Sequence, residues 1–118
     1  MTEEPAFVTS YVVDDDILVM KLHGKLDNNT ARAFNDEAAR QFESGKRKMI
    51  IDCANLGYVS SFGVGILVSL QAKLRKQGGE VKLAAIQSAV AEVFKVVRLD
   101  RLLEMYGDIE FARESFYE

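Results

Sequence analysis

The sequence predicts a mixed α/β fold: a sheet opened by a β-hairpin, continued by parallel crossovers and covered by amphipathic helices. Some segments alternate apolar and polar residues with period two, while others repeat apolar residues at helical spacing. These segments follow one another in the order β, β, α, β, α, β, α, with turn or cap residues at the junctions. The chain has 118 residues, about the size of one ordinary domain, so residues 1–118 are expected to form a single unit. With 48% hydrophobic and 28% charged residues, it has material for a packed core and a solvated exterior. That composition excludes a disordered chain and a scaffold that depends on covalent staples.

Phe7 to Val13 is rich in aromatic and β-branched residues and stops at Asp14-Asp15-Asp16, as a strand followed by a tight turn does. Ile17 to His23 resumes at once. Leu18, Met20 and Leu22 alternate there with Val19, Lys21 and His23, as one buried sheet face with a more polar reverse side requires. The two segments make the antiparallel hairpin. After Gly24-Lys25-Leu26, the short polar side chains of Asp27-Asn28-Asn29-Thr30 favour a turn and a helix N-cap. From Ala31 to Glu43, Ala31, Phe34, Ala38 and Phe42 share one face, and Gly45 supplies the stop.

Met49 to Cys53 is a compact apolar run, the pattern of a central strand covered on both sides. Asn55 to Ser61 reads as a loop. A second helix runs from about Ser61 to Lys76, with Val64, Leu67, Val68, Gln71 and Leu74 at helical spacing. Glu80 to Ala85 alternates Val81, Leu83 and Ala85 with charged or small residues. Ser88 then caps a third helix carrying Val90, Val93, Phe94 and Val97. Leu103 to Tyr106 reads as a short edge strand, and Asp108 to Phe116 as a terminal helical turn or two.

Several function classes fall away. Fifteen basic and eighteen acidic side chains leave a net charge of -3, and no stripe of Lys and Arg could track a phosphate backbone, so nucleic acid is not an expected partner. Cys53 and His23 are the only residues of their types, which excludes an internal disulfide and a structural zinc site and fits a reducing compartment. Cys53 reads as a small buried hydrophobe, and His23 as a side chain on the polar face of its strand. Asp14 to Asp16 reads as a turn, since no other ligands are spaced to help it hold a cation. No paired carboxylate, Ser-His-Asp order, metal-ligand spacing or complete phosphate loop is present, so no catalytic residue, cofactor or metal is expected. Met1-Thr2-Glu3-Glu4-Pro5 is acidic and no apolar stretch of signal-peptide length follows. No apolar run approaches the ~18 residues of a spanning helix. A cytoplasmic protein without membrane insertion is the expectation.

Ser60-Ser61-Phe62-Gly63-Val64-Gly65 stands apart, because it joins a strand exit to a helix whose first turns carry two glycines. An interior Gly costs up to about 1 kcal/mol relative to Ala, so each needs a reason. Either the glycines pack closely on the sheet beneath a Ser cap, or they admit a partner. A hydroxyl at such a helix start can also carry a phosphate, because unbonded amides and the helix dipole favour negative charge there.

Leu22-His23-Gly24-Lys25-Leu26-Asp27, Ile50-Ile51-Asp52 and Leu56 to Gly65, with Gln77-Gly78-Gly79-Glu80-Val81 and Val90-Ala91-Glu92-Val93-Phe94 further on, resemble in order and spacing the STAS domain family, and within it the bacterial anti-sigma factor antagonists. The resemblance covers nearly the whole chain and implies a STAS-like mixed sheet. In that family the loop normally reads Asp-Ser-Ser/Thr-Gly-x-Gly, and the Ser after the Asp is phosphorylated by a cognate anti-sigma factor kinase. Matching the glycines implies Ser61 as the phosphoacceptor, with Ser60 in the place of the Asp and Phe62 in that of the second hydroxyl residue. Asp27 matches the family's loop acid. The implied partner surface comprises Lys25, Asp27, Asn28 and Asn29 with Ser60, Ser61, Phe62, Gly63, Val64 and Gly65.

The resemblance implies an antagonist that docks on an anti-sigma factor or switch kinase and is released by phosphate on Ser61, with a serine phosphatase as a further partner. Its alternative is a non-phosphorylated STAS scaffold or accessory subunit of a stress-signalling or lipid transport complex. Either way the expected activity is binding and not catalysis, and a homodimer is left open.

Overall fold

The computed structural model describes residues 6–118; the acidic start read above as free of a targeting signal, Met1 to Pro5, lies outside them. The hairpin forms as the patterning requires, from β1 (Val8–Val13) and β2 (Ile17–Leu26), antiparallel with Val13 opposite Ile17. Three strands follow in parallel: β3 (Lys48–Val59), β4 (Glu80–Ala84) and β5 (Glu104–Tyr106). Spatial order equals chain order, β1-β2-β3-β4-β5, with β3 central. The helices are α1 (Thr30–Glu43), α2 (Ser61–Lys76), α3 (Ser88–Val96) and α4 (Ile109–Ser115), and Leu99–Arg101 forms one 3-10 turn.

The main core lies between one face of the sheet and α1, α2 and α3. Leu18, Met20, Met49, Ile51 and Leu83 meet Phe34, Leu67 and Phe94 there, all buried. Each such side chain contributes roughly 1.5–3 kcal/mol by leaving water.

Ser88, expected to cap the third helix, is instead its first helical residue, with Gln87 in extended backbone at the N-cap position and no side-chain cap bond. Two larger expectations also need correction. The first concerns the strands, which run further than their patterns suggest. β2 continues through Leu26, and β3 continues through Val59 where a loop was expected. The two strands stay paired across register shifts between Lys21 and His23 and between Gly24 and Lys25. A bulge breaks the period-two alternation, so Leu56 and Val59 both reach the core although three residues apart.

The second concerns the reverse face of β2, which is apolar over its first half. Ile17 and Val19 join Ile50, Ala84 and Ala112 in a second, smaller core beneath α4. Lys82 is buried in the same layer. Its ammonium donates to Ser115 Oγ at 2.6 Å, pairs with Glu104 at 3.1 Å and stands 4.4 Å from the Phe116 ring centroid.

The acidic triple makes the turn and also anchors that layer. Asp14 and Asp15 have φ of 51° and 69°, a left-handed region that Asp tolerates better than most residues. The Asp14 carboxylate accepts from Arg113 Nη1 at 2.9 Å and from the Tyr117 hydroxyl at 3.0 Å, while Asp16 pairs with Lys48 at 3.0 Å. Among the described residues no cluster of His, Cys, Asp or Glu could hold a metal ion, and no helix is long and apolar enough to cross a membrane.

Candidate functional site at one end of the sheet

β2 and β3 run parallel and end side by side, Leu26 against Val59, and each leads directly into a helix. The starts of α1 and α2 are therefore brought to the same end of the sheet, each with its first-turn amides directed toward that end. A hydrogen bond from the Ser60 amide to the Leu26 carbonyl, 2.9 Å, ties the two exits together.

At the start of α2, adjacent serines take different roles. Ser60 has extended backbone (φ −88°, ψ 166°), and its Oγ accepts from the Gly63 amide at 3.0 Å. It is the N-cap, which satisfies one donor of the first turn. Ser61 is the first helical residue and exposed, and its hydroxyl has no hydrogen-bond partner among the described residues. No acidic residue occupies the first turn of α2, whereas Lys73, Arg75 and Lys76 fill its last turn, so the dipole is countered by side chains only at the far end.

The glycines also divide. A Cβ on Gly63 would come within 2.8 Å of both the carbonyl oxygen and Cγ of Leu26, so only glycine lets α2 approach β2 this closely. A Cβ on Gly65 would meet nothing within 4 Å, and Gly65 is exposed. Close packing explains the first glycine and not the second. Val64 faces the core and supports the surface from beneath, while Phe62 is 52% exposed beside Ser61.

Across the seam, Asp27 closes the turn into α1. Its Oδ1 accepts from the amides of Asn29 (2.9 Å) and Thr30 (3.1 Å), while its own amide donates to Thr30 Oγ1 at 2.9 Å. The Thr30 amide first, then that of Asn29, hold the carboxyl below the usual carboxylate range, with Lys25 adding a smaller effect. Thr30 Oγ1 also donates to the Lys25 carbonyl at 2.5 Å. Asn28 and Asn29 are exposed, as is Lys25. Lys25 stands in register with Tyr58, which is 50% exposed. Sequence reasoning did not single out Tyr58, because a residue assigned to a loop has no face; an aromatic two residues before Ser60 was the available signal.

Neither of the other chemically suggestive residues joins this end. Burial, and then the Asp52 charge, push the Cys53 thiol up to about 12, which suits a buried hydrophobe and not a nucleophile. His23 lies opposite Asn55 on the partly exposed sheet face, as its position in β2 implied.

A mixed sheet opened by a hairpin, with paired helix starts at one end and a Ser-Gly turn between them, is the STAS arrangement. The STAS domain profile matches residues 9–112, and the chain belongs to that family. Among its relatives is BtrV of Bordetella bronchiseptica, described as a candidate anti-sigma factor antagonist: 30% identical over 102 residues, covering 86% of this chain and 88% of that one. Among solved structures, a candidate anti-sigma factor antagonist of Thermotoga maritima superposes with a TM-score of 0.88 at 21% identity, over 94% of this chain and 95% of that one. The Bacillus cell fate determinant SpoIIAA in its phosphorylated form superposes with a TM-score of 0.73 at 20% identity, over 92% and 98% of the two chains. The fold is that of the anti-sigma factor antagonists.

Proposed function

We propose that residues 1–118 form one domain that acts as an anti-sigma factor antagonist, binding an anti-sigma factor or serine switch kinase at the Asp27–Ser61 end of the sheet and released by phosphate on Ser61. Its activity is recognition and not catalysis. The observation that carries the reading is the division of labour between the serines: Ser60 is committed to capping, and Ser61 presents an unengaged hydroxyl over the first turn of α2. A phosphate there adds about −2 charge beside favourable amides, so the fold tolerates it while a desolvated partner contact does not. The names borne by BtrV and its Thermotoga counterpart support the partner class, and the phosphorylated form of SpoIIAA supports the switch. Serine phosphatase action would reset it.

One observation favours a second reading, a STAS scaffold without phosphorylation. Ser60 and the exposed Phe62 stand where the family places an acid and a small hydroxyl residue, and they alter what a kinase would grip. Mass spectrometry of protein recovered from its own cells in stressed and unstressed growth separates the two. Phosphate on Ser61 is expected, with Ser61→Ala retaining an anti-sigma factor constitutively and Ser61→Asp losing it. Phosphate on Ser60 alone refutes the assignment, and no phosphate in either state gives the scaffold reading.

A further inference from the structure

Among the described residues nothing pairs with the outer edge of β1, a six-residue strand, Val-Thr-Ser-Tyr-Val-Val, without charge, proline or glycine. Exposed edges are ordinarily blunted by one of those devices, because their unpaired backbone groups invite another strand. The opposite edge is protected: β5 has only three residues and carries Glu104.

The register of the hairpin fixes which groups β1 offers. The His23 amide donates to the Phe7 carbonyl at 2.8 Å, so Phe7, Thr9, Tyr11 and Val13 bond inward to β2. Val8, Ser10 and Val12 therefore turn their amides and carbonyls outward, and among the described residues nothing takes them. These residues read Val-x-Ser-x-Val, symmetric about Ser10.

We infer that β1 pairs antiparallel with β1 of a second copy across a two-fold axis at Ser10, making one continuous sheet through the dimer. This register sets Val8 against the other copy's Val12 and Ser10 against its equivalent, and it engages all three outward residues in about six hydrogen bonds. On the opposite face Thr9 meets Tyr11, which is 45% exposed in the single chain, and such cross-strand pairs are stabilising. With no charge on the strand, the symmetry brings no like charges of β1 together. Glu37 of α1, which accepts from Ser10 Oγ at 2.6 Å, is already neutralised by Arg40 at 2.9 Å. Pairing of β1 with β5 of another copy would be head-to-tail and open-ended, and β5 is too short to match β1.

Sedimentation at increasing concentration should show a monomer–dimer equilibrium that Val12→Lys shifts to monomer, with a melting curve unchanged at dilutions where the parent is also monomeric, because Val12 is 46% exposed in the single chain. The register is read by cysteine substitution under mild oxidation. Ser10→Cys should cross-link copies, since the paired Cα atoms lie about 5.5 Å apart. Tyr11→Cys should not, since its equivalents lie on a diagonal about 7–8 Å apart. The native Cys53 is buried and stays silent. A protein that remains monomeric at all concentrations overturns the inference. So does a dimer that Val12→Lys leaves intact and Ser10→Cys does not trap, or an edge occupied instead by an extended segment of a different protein. These readouts concern association alone, so their failure leaves the partner assignment standing.

Discussion

Ser60 and Ser61 carry the same hydroxyl, and the start of α2 falls so that one is turned into the helix and the other away from it. Ser60→Ala should therefore cost about 1 kcal/mol in urea denaturation, the usual loss for an N-cap. Gly63→Ala should cost roughly 1–3 kcal/mol, because the added methyl must displace the Leu26 carbonyl or side chain. Gly65→Ala has open space around it and a better helix former in place, so stability should hold or rise by up to about 1 kcal/mol. If Gly65 serves the partner surface, that same variant should lose affinity for an anti-sigma factor with its fold intact. Unchanged binding would remove Gly65 from the site. At this scale the sequence was most informative where backbone chemistry speaks directly: Asp27 as turn former, a Ser as cap, glycines as anomalies needing a cause. It could not divide the two glycines between packing and exposure, because that depends on where Leu26 lies, and Leu26 is distant in the chain.

The same limit governs the elements. Helices and hairpin were legible because their periods run unbroken, but β3 looked half its length: its bulged pairing with β2 scatters Leu56 and Val59 off the alternation. α4 was legible as a terminal helical turn or two between Asp108 and Phe116, but not what holds it: its seven residues would be marginal alone and are fixed by Arg113 and Tyr117 on Asp14. Arg113, then Tyr117, hold the Asp14 carboxyl below its usual range. A carboxyl whose pKa is lower folded than unfolded contributes stability above its unfolded pKa, about 3.9, and that contribution is lost as pH falls through the folded value. Amides of Ile109–Ser115 should accordingly lose hydrogen-exchange protection on acidification before those of β3 do. Asp14→Asn should bring that loss to neutral pH. Equal protection of α4 in variant and parent would show that the apolar seat on Ile17 and Val19 alone holds the helix.

For the molecule as a whole, the titrating groups bound the pH range of stability. Asp14, Asp27, Glu37 and Glu104 all have carboxyls held low, by Arg113 on Asp14, the Thr30 amide on Asp27 and the Tyr106 hydroxyl on Glu104, and on Glu37 by Ser10, Gln41 and Arg40 against its burial. Tyr11 and Tyr117 are held high, chiefly by burial and then by Asp52 and Asp14 respectively. The carboxyl contributions vanish as pH falls below about 4, while the tyrosine contributions, complete below about 10, are lost as pH rises past it. Denaturation midpoints should form a plateau between these limits, and Asp27→Asn should shallow only the acid limb. A steeper acid limb in that variant would contradict the favourable ionisation assigned to Asp27. The overall topology was legible because consecutive elements are neighbours throughout the sheet, the simplest outcome the chain order allows. The second, smaller core was not, since a lysine at its centre reads as surface until Ser115 and Phe116 are seen above it.

β1 runs against β2, while β2 shares its direction with β3. Joining two copies through β1 therefore sends their β2 strands in opposite senses, and the two Ser61-bearing ends emerge at opposite poles of the pair. Such a two-headed body can bridge two targets, and each head is reached without crowding the other. On an array of tethered anti-sigma factors, retention would then gain from avidity that a single copy lacks, and phosphorylating one head would halve the valence instead of silencing the pair.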